Sequence, residues 1–275
     1  MTTRRTQYDG WLAAFANELR RRGVAPPVLR QVVAETATHL QDSGEPPVQS
    51  FGSPQTYADV VVDSIGRTRR PPGRVLLDVR GITKKYRRRT VLSGVDLTVR
   101  AGQIVAVVGA NGCGKSTFLG ICAGLVSADD GEVRAYGTLG YCPQNGGTAD
   151  FLSADEHFVL IGAGRGLTRR RATDTGRRRA AELGWQPERG HQARHLSGGT
   201  RQKLNLVLAG LGDPDIVLLD EPYQGFDRGS YLDFWQHVWE WRDAGKAVVV
   251  VTHLLSQLDR VDTVLDLTPA RRAVA

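Results

Sequence analysis

The chain has 275 residues and a formal net charge of +7, and 41% of its residues are hydrophobic. This length suits a large domain with or without a small companion, and the hydrophobic fraction excludes a chain that is disordered throughout. No apolar run approaches 18 residues, and no apolar segment follows the first basic residues as in a secretory signal. We therefore expect a cytoplasmic protein with no span of its own.

The basic residues indicate the kind of partner, and the cysteines indicate the redox compartment. Only five of the 36 basic residues are lysine, and arginine is spread over several runs, which favours a solvated arginine-rich surface over a nucleic-acid site. The three cysteines, Cys113, Cys122 and Cys142, have no metal-ligand spacing and fit a reducing compartment. We expect no nucleic-acid partner.

The first 66 residues carry helical patterns, and we interpret them as a small all-α accessory domain. We predict three helices: residues 8–22, a second that opens at Pro26 and ends at Gly44, and a third capped by Ser53. The stretch at residues 51–61, with two amphipathic helices before it, resembles the HAAS domains attached to bacterial signalling and membrane proteins. The residues expected to face inward are Trp11, Leu12, Phe15, Leu19, Leu29, Val32, Val33, Leu40, Tyr57, Val60, Val61 and Ile65.

Residues 67–74 are rich in Gly, Pro and Arg and are predicted to be a linker. From residue 75 to residue 275 strands alternate with helices, which predicts an α/β domain with a mainly parallel core sheet. The predicted strands are 75–82, 97–101, 103–108, 216–219 and 247–252. The predicted helices are 116–125, 156–163, 170–183, 197–210 and 230–244.

A glycine-rich loop between a buried strand and a helix fits the pattern G-x-x-x-x-G-K-[ST]. Its glycines let backbone N–H groups point at phosphate oxygens, and the helix N-terminus adds a positive dipole end. Lys115 should reach the β and γ phosphates, Ser116 should bind Mg²⁺, and Thr117 should lie beside the α and β phosphates. The nucleotide-binding residues predicted here are Gly109, Ala110, Asn111, Gly112, Cys113, Gly114, Lys115, Ser116 and Thr117.

A second buried strand delivers two acidic residues at its end. Asp220 suits Mg²⁺, directly or through water, and Glu221 can polarise an attacking water. Together with the phosphate loop, this pair predicts nucleotide hydrolysis with ATP and Mg²⁺ as cofactors.

A third motif, LSGG, lies at the start of a helix, where Ser197, Gly198 and Gly199 would form another anion site. One triphosphate does not need two anion sites on one chain, but a head-to-tail dimer does. This combination of motifs resembles the ATP-binding cassette (ABC) family over roughly residues 75–268. The resemblance implies a P-loop NTPase fold of the ABC type, with an antiparallel β subdomain and a helical subdomain.

The resemblance also implies roles for four single residues. Tyr86 would stack on adenine, Gln144 would sense Mg²⁺ and act in catalysis, and Asp227 would contact the second nucleotide-binding chain. His253, with Lys115 and Glu221 in the catalytic set, would contact the γ-phosphate. The chain departs from the commonest family pattern at Thr200 and at residues 224–227.

The resemblance implies a subunit that powers a separately encoded membrane permease, with export as the expected direction. It would lie on the inner face of the membrane as a homodimer or heterodimer, with the permease seated around Gln144 and residues 145–163. Two alternatives stay open at this point. One is a soluble cassette ATPase that acts on nucleic acid or the ribosome, and the other is an ATP-dependent regulatory switch.

Overall fold

The structure is a computed structural model that describes residues 2–22, 24, 26–43, 46–67, 73–87, 89–252 and 261–268. The chain divides into two units, Met1–Pro71 and Pro72–Ala275. None of the helices in the described ranges has the length and apolar composition that a bilayer crossing requires.

The first unit is all-helical. Its helices are α1 (Thr2–Arg21), α2 (Pro26–Ser43), α3 (Pro47–Phe51) and α4 (Pro54–Arg67). The sequence predicted three of these helices. It missed α3, which has five residues and about one and a half turns. The hydroxyl of Ser53 accepts a hydrogen bond from the Thr56 N–H at 3.1 Å, which is the interaction predicted to open α4.

Aromatic side chains form the core of the first unit. Trp11 and Phe15 of α1 stack with their ring centroids 5.4 Å apart, and Trp11 Nε1 donates to the carbonyl of Gly52 at 3.1 Å. Val60, predicted to face inward, is 55% exposed. The inward face of α4 passes through Ala58 and the half-buried residues beside it, and Val60 lies about 200° from Ala58 around the helix. The side chain of Ile65 lies outside the described residues.

The second unit contains two sheets. The antiparallel sheet has the order β2-β1-β4, from β1 (Val75–Tyr86), β2 (Arg89–Arg100) and β4 (Asp130–Ala135). The parallel sheet has the order β5-β6-β7-β3-β8, from β3 (Gln103–Val108), β5 (Leu139–Cys142), β6 (Ile216–Asp220), β7 (Ala247–Val251) and β8 (Thr263–Asp266). The predicted parallel core sheet is confirmed, as is the antiparallel subdomain.

Five helices of the second unit were all predicted to within a few residues. They are α5 (Lys115–Cys122), α6 (Ala154–Ala163), α7 (Arg169–Glu182), α8 (Gly198–Gly210) and α9 (Arg228–Asp243). The inner strands β3, β6 and β7 of the parallel sheet are buried on both faces, and every residue of β7 is buried. Val248 and Val250 pack in the cluster that holds α8 and α9, whereas Val249 and Val251 pack in the cluster that holds α5 and β1. Because β3 and β6 both pair in parallel with β7, their C-terminal ends lie at the same end of the sheet, one strand apart.

The structure describes both ends of the predicted linker. Arg67 is the last residue of α4, and residues 68–72 lie outside the described ranges. The carbonyl of Arg74 accepts a hydrogen bond from the N–H of Ala101 at 2.9 Å, so the chain joins the antiparallel sheet of the second unit by residue 74.

Candidate functional site

The phosphate loop wraps around the ammonium group of Lys115. The loop follows β3 and ends where α5 begins, with Gly114 at the N-cap of α5 and φ of 106°. Lys115 is buried, and its Nζ donates to the carbonyls of Gly109 at 2.8 Å and Ala110 at 3.1 Å. The positive φ at Gly112 and Gly114 is a conformation that glycine adopts without strain. The loop therefore has the closed shape that lets backbone N–H groups converge.

Strand β2 supports the loop from behind. A Cβ at Gly114 would lie 2.6 Å from Val91 and 2.9 Å from Leu92, so only glycine fits at this approach. Arg89 Nη2 donates to the carbonyl of Gly112 at 3.1 Å. The antiparallel sheet thus holds the loop in place, a role that the sequence did not indicate.

The acidic pair lies at the end of β6. Asp220 is the last residue of the strand and is buried. Glu221 follows it with φ of 45°, a left-handed conformation that is uncommon for a residue with a side chain. Its Oε2 accepts hydrogen bonds from Gln144 Nε2 at 3.0 Å and from Gln224 Nε2 at 3.1 Å. Backbone strain of this kind is concentrated at functional sites.

These elements surround one cavity of about 800 Å³, which is large enough for a nucleotide. Its lining includes Tyr86, Asn111, Gly112, Gly114, Lys115, Ser116, Thr117, Gln144 and Glu221, all predicted to be site residues. Val91 and Gln224 also line it and were not predicted. Gln224 lies in the stretch 224–227 that departs from the commonest family pattern, and this departure was the only sign in the sequence that Gln224 belongs to the site.

Several residues predicted to belong to the site are not among those that line the cavity. The side chain of Cys113 is buried, and a Cβ at Gly109 would lie 2.7 Å from its sulfur, so these two residues pack inside the loop. Asp220 is buried at the end of β6 and is not among the residues that line the cavity. His253 lies outside the described residues.

The LSGG motif lies at the start of helix α8, and its residues do not line the nucleotide cavity. Ser197 is the N-cap of α8, and its hydroxyl accepts a hydrogen bond from the N–H of Thr200 at 3.2 Å. The Thr200 hydroxyl lies 2.9 Å from that of Ser197, so threonine at this position completes the cap. Ser197 and Gly198 are exposed and do not line the cavity that Lys115 lines. Gly198 lines a neighbouring pocket together with Gln144 and Gln224, which also line that cavity, so the LSGG motif lies beside the cavity and not in its wall.

Helix α8, which begins with the LSGG motif, contacts the loop before α9 through two glycines. A Cβ at Gly199 would lie 2.4 Å from the carbonyl oxygen of Gly225, which itself has φ of 76°. Beyond this contact, Lys203 Nζ lies 5.8 Å from the centre of the Phe226 ring. The loop is thus fixed against α8.

Asp227 ends this loop as the N-cap of α9. Its carboxylate accepts hydrogen bonds from the N–H of Ser230 at 2.8 Å and from the Ser230 hydroxyl at 3.2 Å. The backbone hydrogen bond lowers the pKa of Asp227 below its ordinary value of 3.8. Asp227 therefore has a structural role in its own chain, whatever a second chain adds.

Two buried amides link α8 to the segment that carries Gln144. Gln202 Nε2 donates to the carbonyl of Pro143 at 3.2 Å, and Asn205 Nδ2 donates to that of Gly146 at 2.9 Å. These two residues were not predicted, although polar residues within the apolar stretch of α8 were a visible signal. Both ends of the Gln144 turn are held by α8.

The residues present fit a nucleotide and Mg²⁺. The glycine loop leaves a cleft beside its N–H groups, and Lys115 places a cation at the floor of that loop. Ser116 and Gln144 offer the uncharged oxygen ligands that Mg²⁺ accepts, and Asp220 offers a carboxylate. Tyr86 is half-exposed at the end of β1 with its ring at the cavity, where a base can stack on it.

A glycine-rich phosphate loop between a parallel strand and a helix, with acidic residues at the end of a neighbouring strand, defines a P-loop nucleotide-binding domain. Comparisons with known proteins agree. The family model described as ABC transporter matches residues 92–224. A solved structure described as the ATP-binding subunit of an ABC transporter superposes with a TM-score of 0.64 and 25% identity, and the match covers 70% of this chain and 86% of that one.

Two relatives illustrate the range of sequence similarity. The zinc import ATP-binding protein ZnuC of Roseobacter denitrificans is 38% identical over 194 residues, which cover 68% of this chain and 74% of ZnuC. The cholesterol transporter ABCA5 of Mus musculus is 31% identical over 205 residues, which cover 68% of this chain and only 12% of ABCA5. The chain belongs to the ABC transporter family, whose cassettes are ATPases with ATP and Mg²⁺ as cofactors.

Proposed function

We propose that this chain is the ATP-binding and ATP-hydrolysing subunit of a transporter, and that two cassettes act together head to tail. The observation that carries the proposal is that the LSGG motif of the chain does not line the chain's own nucleotide cavity. Lys115 lies at the floor of one cavity, whereas Ser197 and Gly198 are exposed outside it. A second cassette facing the opposite way would place its LSGG motif over this cavity. The LSGG motif of this chain would in turn lie over the cavity of the second cassette.

The residues of one site then have distinct roles. Lys115 exchanges the carbonyls of Gly109 and Ala110 for phosphate oxygens, and Glu221 orients and polarises the attacking water. Gln144 holds Glu221 from the turn that follows β5. Ser116, Gln144 and Asp220 would hold Mg²⁺, which would neutralise part of the phosphate charge. His253 completes the catalytic set as the residue proposed to contact the γ-phosphate.

A permease is the partner that we propose for the helical subdomain. Phe151 is 70% exposed and Leu160 is 59% exposed, both within the stretch 145–163 expected to receive it. Leu160 lines a cavity with Leu152 and Val159, and the rest of its lining is polar: Asp155, Glu156, Arg169, Thr173, Asp174, Arg177 and Arg189. Isolated apolar side chains on a surface are common, but a groove with an apolar strip and a charged rim suits a contact with a partner helix.

The cargo is set by the permease. The names of the relatives mention zinc import in one case and cholesterol or phospholipid transport in others, and those words belong to those proteins. Export stays the direction that we predict for this chain. A transport assay with the permease in vesicles measures it directly.

The test of the two-cassette proposal uses Glu221→Gln, which should bind ATP and hydrolyse it too slowly to separate the pair. We expect light scattering to give twice the mass of the 30.0 kDa chain with ATP and Mg²⁺, and a single chain without ATP. The matched control is the same variant with Lys115→Ala, which should stay monomeric with ATP. A monomer for Glu221→Gln at saturating ATP would contradict a homodimer.

A further inference from the structure

Glu221 sits in a backbone conformation that does not by itself orient its side chain. Its φ of 45° puts it in the left-handed region, directly after the last residue of β6. Such a conformation persists only where surrounding contacts determine it. The contacts on its carboxylate therefore decide where a polarised water can lie.

Two glutamine amides bind the same carboxylate oxygen. Gln144 Nε2 and Gln224 Nε2 lie 3.0 Å and 3.1 Å from Glu221 Oε2. They come from different segments, because Gln144 follows β5 and Gln224 lies in the loop before α9. Gln224 also donates its backbone N–H to the carbonyl of Glu221 at 3.3 Å, which closes a turn around the glutamate.

The position of Gln224 is set by its neighbours in the loop. Gly225 packs against Gly199 at the start of α8, and Asp227 caps α9. The amide of Gln224 is thus carried by a segment that is fixed to the LSGG helix. A shift of that helix relative to β6 would move the amide away from the carboxylate.

We propose that Gln224 is a positioning residue that holds the Glu221 carboxylate for hydrolysis and links the LSGG helix to it. This inference rests on the proposed function, in which Glu221 polarises the attacking water. Hydrogen bonds to a charged acceptor are among the stronger ones, so their loss is measurable in a rate. Gln224 acts through Glu221 and is not given a contact with ATP.

The test compares Gln224→Leu with the wild-type full chain in steady-state ATP hydrolysis. We expect kcat to fall about tenfold or more, with KM for ATP changed little, because the lost contact acts on the chemical step and not on binding. Gln224→Glu, of the same length, places a second carboxylate against Glu221 and should lower kcat at least as far. The matched control is Gln236→Leu, which removes an exposed Gln–Glu pair on α9, with Glu240 at 3.2 Å, and should leave kcat unchanged.

A double-mutant cycle separates positioning from general damage. In the Glu221→Gln background, single-turnover hydrolysis should not fall further when Gln224→Leu is added, because the two substitutions remove one interaction. Three outcomes would overturn the inference. They are an unchanged kcat in Gln224→Leu, a rise in its KM for ATP as large as the fall in kcat, and a single-turnover rate in the double variant below that of Glu221→Gln. If Glu221→Gln hydrolyses ATP at the normal rate, the proposed function itself is wrong. If Glu221→Gln is slow but Gln224→Leu hydrolyses ATP at the normal rate, only this inference is wrong.

Discussion

Lys115 Nζ lies 2.8 Å from the carbonyl oxygen of Gly109, so the lysine proposed to hold the phosphates is bound by its own loop. Nucleotide binding must exchange these carbonyls for phosphate oxygens, which are better acceptors because they are charged. The loop keeps the ammonium group in place before the ligand arrives, and this reduces what has to be ordered on binding.

Lys115→Ala should therefore weaken ATP binding by about tenfold or more and abolish hydrolysis. Binding of a fluorescent ATP analogue and release of phosphate measure the two effects. Arg178→Ala is the control, since it removes an exposed cation of α7 that pairs with Glu182 and does not line the nucleotide cavity. Normal turnover by Lys115→Ala would remove the phosphate-loop assignment.

The two glycines of the LSGG motif should respond differently to alanine. At Gly199 a Cβ would meet the Gly225 carbonyl at 2.4 Å, whereas at Gly198 it would meet nothing within 4 Å. Gly199→Ala should lower the free energy of unfolding by about 1–3 kcal/mol through overpacking, and Gly198→Ala should leave it nearly unchanged. Urea unfolding followed by tryptophan fluorescence compares them, because four of the five tryptophans lie after residue 72. Equal stability of the two variants would contradict this contact.

Asp227 has two roles: it is the N-cap of α9, and it is proposed to contact a second cassette. Two different substitutions distinguish these roles. Asp227→Ala removes the cap on α9 and should lower the melting temperature by about 2–4 °C. Asp227→Ser keeps a cap and should melt close to the wild type, yet it loses the charge. If the charge contacts the partner, Asp227→Ser should hydrolyse ATP more slowly with normal stability, and normal turnover would leave Asp227 a cap only.

The pH dependence of stability should reflect Asp215. The N–H and hydroxyl of Thr138 bond to its carboxylate at 2.8 Å and 3.0 Å, which lowers the pKa of Asp215 below its ordinary value of 3.8. A lowered folded-state pKa contributes stability above the unfolded-state value, and this stability is lost as pH falls through the folded-state pKa. Asp215→Asn should thus lose less stability than the wild type on acidification from pH 7 to below about 3.8. Urea midpoints at the two pH values measure this, and identical losses would contradict the role.

The sequence predicted the parallel sheet because its strands are continuous apolar runs, such as the buried residues of β7. It missed β4, where only Val133 is even partly buried, and β8, where only Leu265 is, and it also missed the four residues of β5. Short strands at sheet edges carry little sequence pattern, so tertiary pairing decides them. The short helix α3 was missed because five residues are too few for a periodic pattern.

The candidate site was predictable where residue type carries the chemistry, as at Lys115 and Glu221. The left-handed backbone of Glu221 was not predictable, because nothing in a glutamate favours positive φ. Asn205 donates to Gly146, 59 residues away in the chain, and such a contact exists only once the two segments have packed together. Gln224 donates to Glu221 three residues before it, in a turn that the left-handed backbone of Glu221 begins.

The central claim is that one chain's phosphate loop and another chain's LSGG motif form each site, and mixing two inactive variants tests it most directly. Lys115→Ala disables the loop, and Gly198→Asp puts a negative charge at the exposed motif, where a side chain has room. Each variant alone should be inactive, but half of the dimers in an equal mixture should be mixed pairs with one intact site. We predict that mixing restores roughly a quarter of wild-type turnover if the two sites act independently. Full activity of Gly198→Asp by itself, or no recovery from mixed dimers verified by differential tags, would contradict the claim.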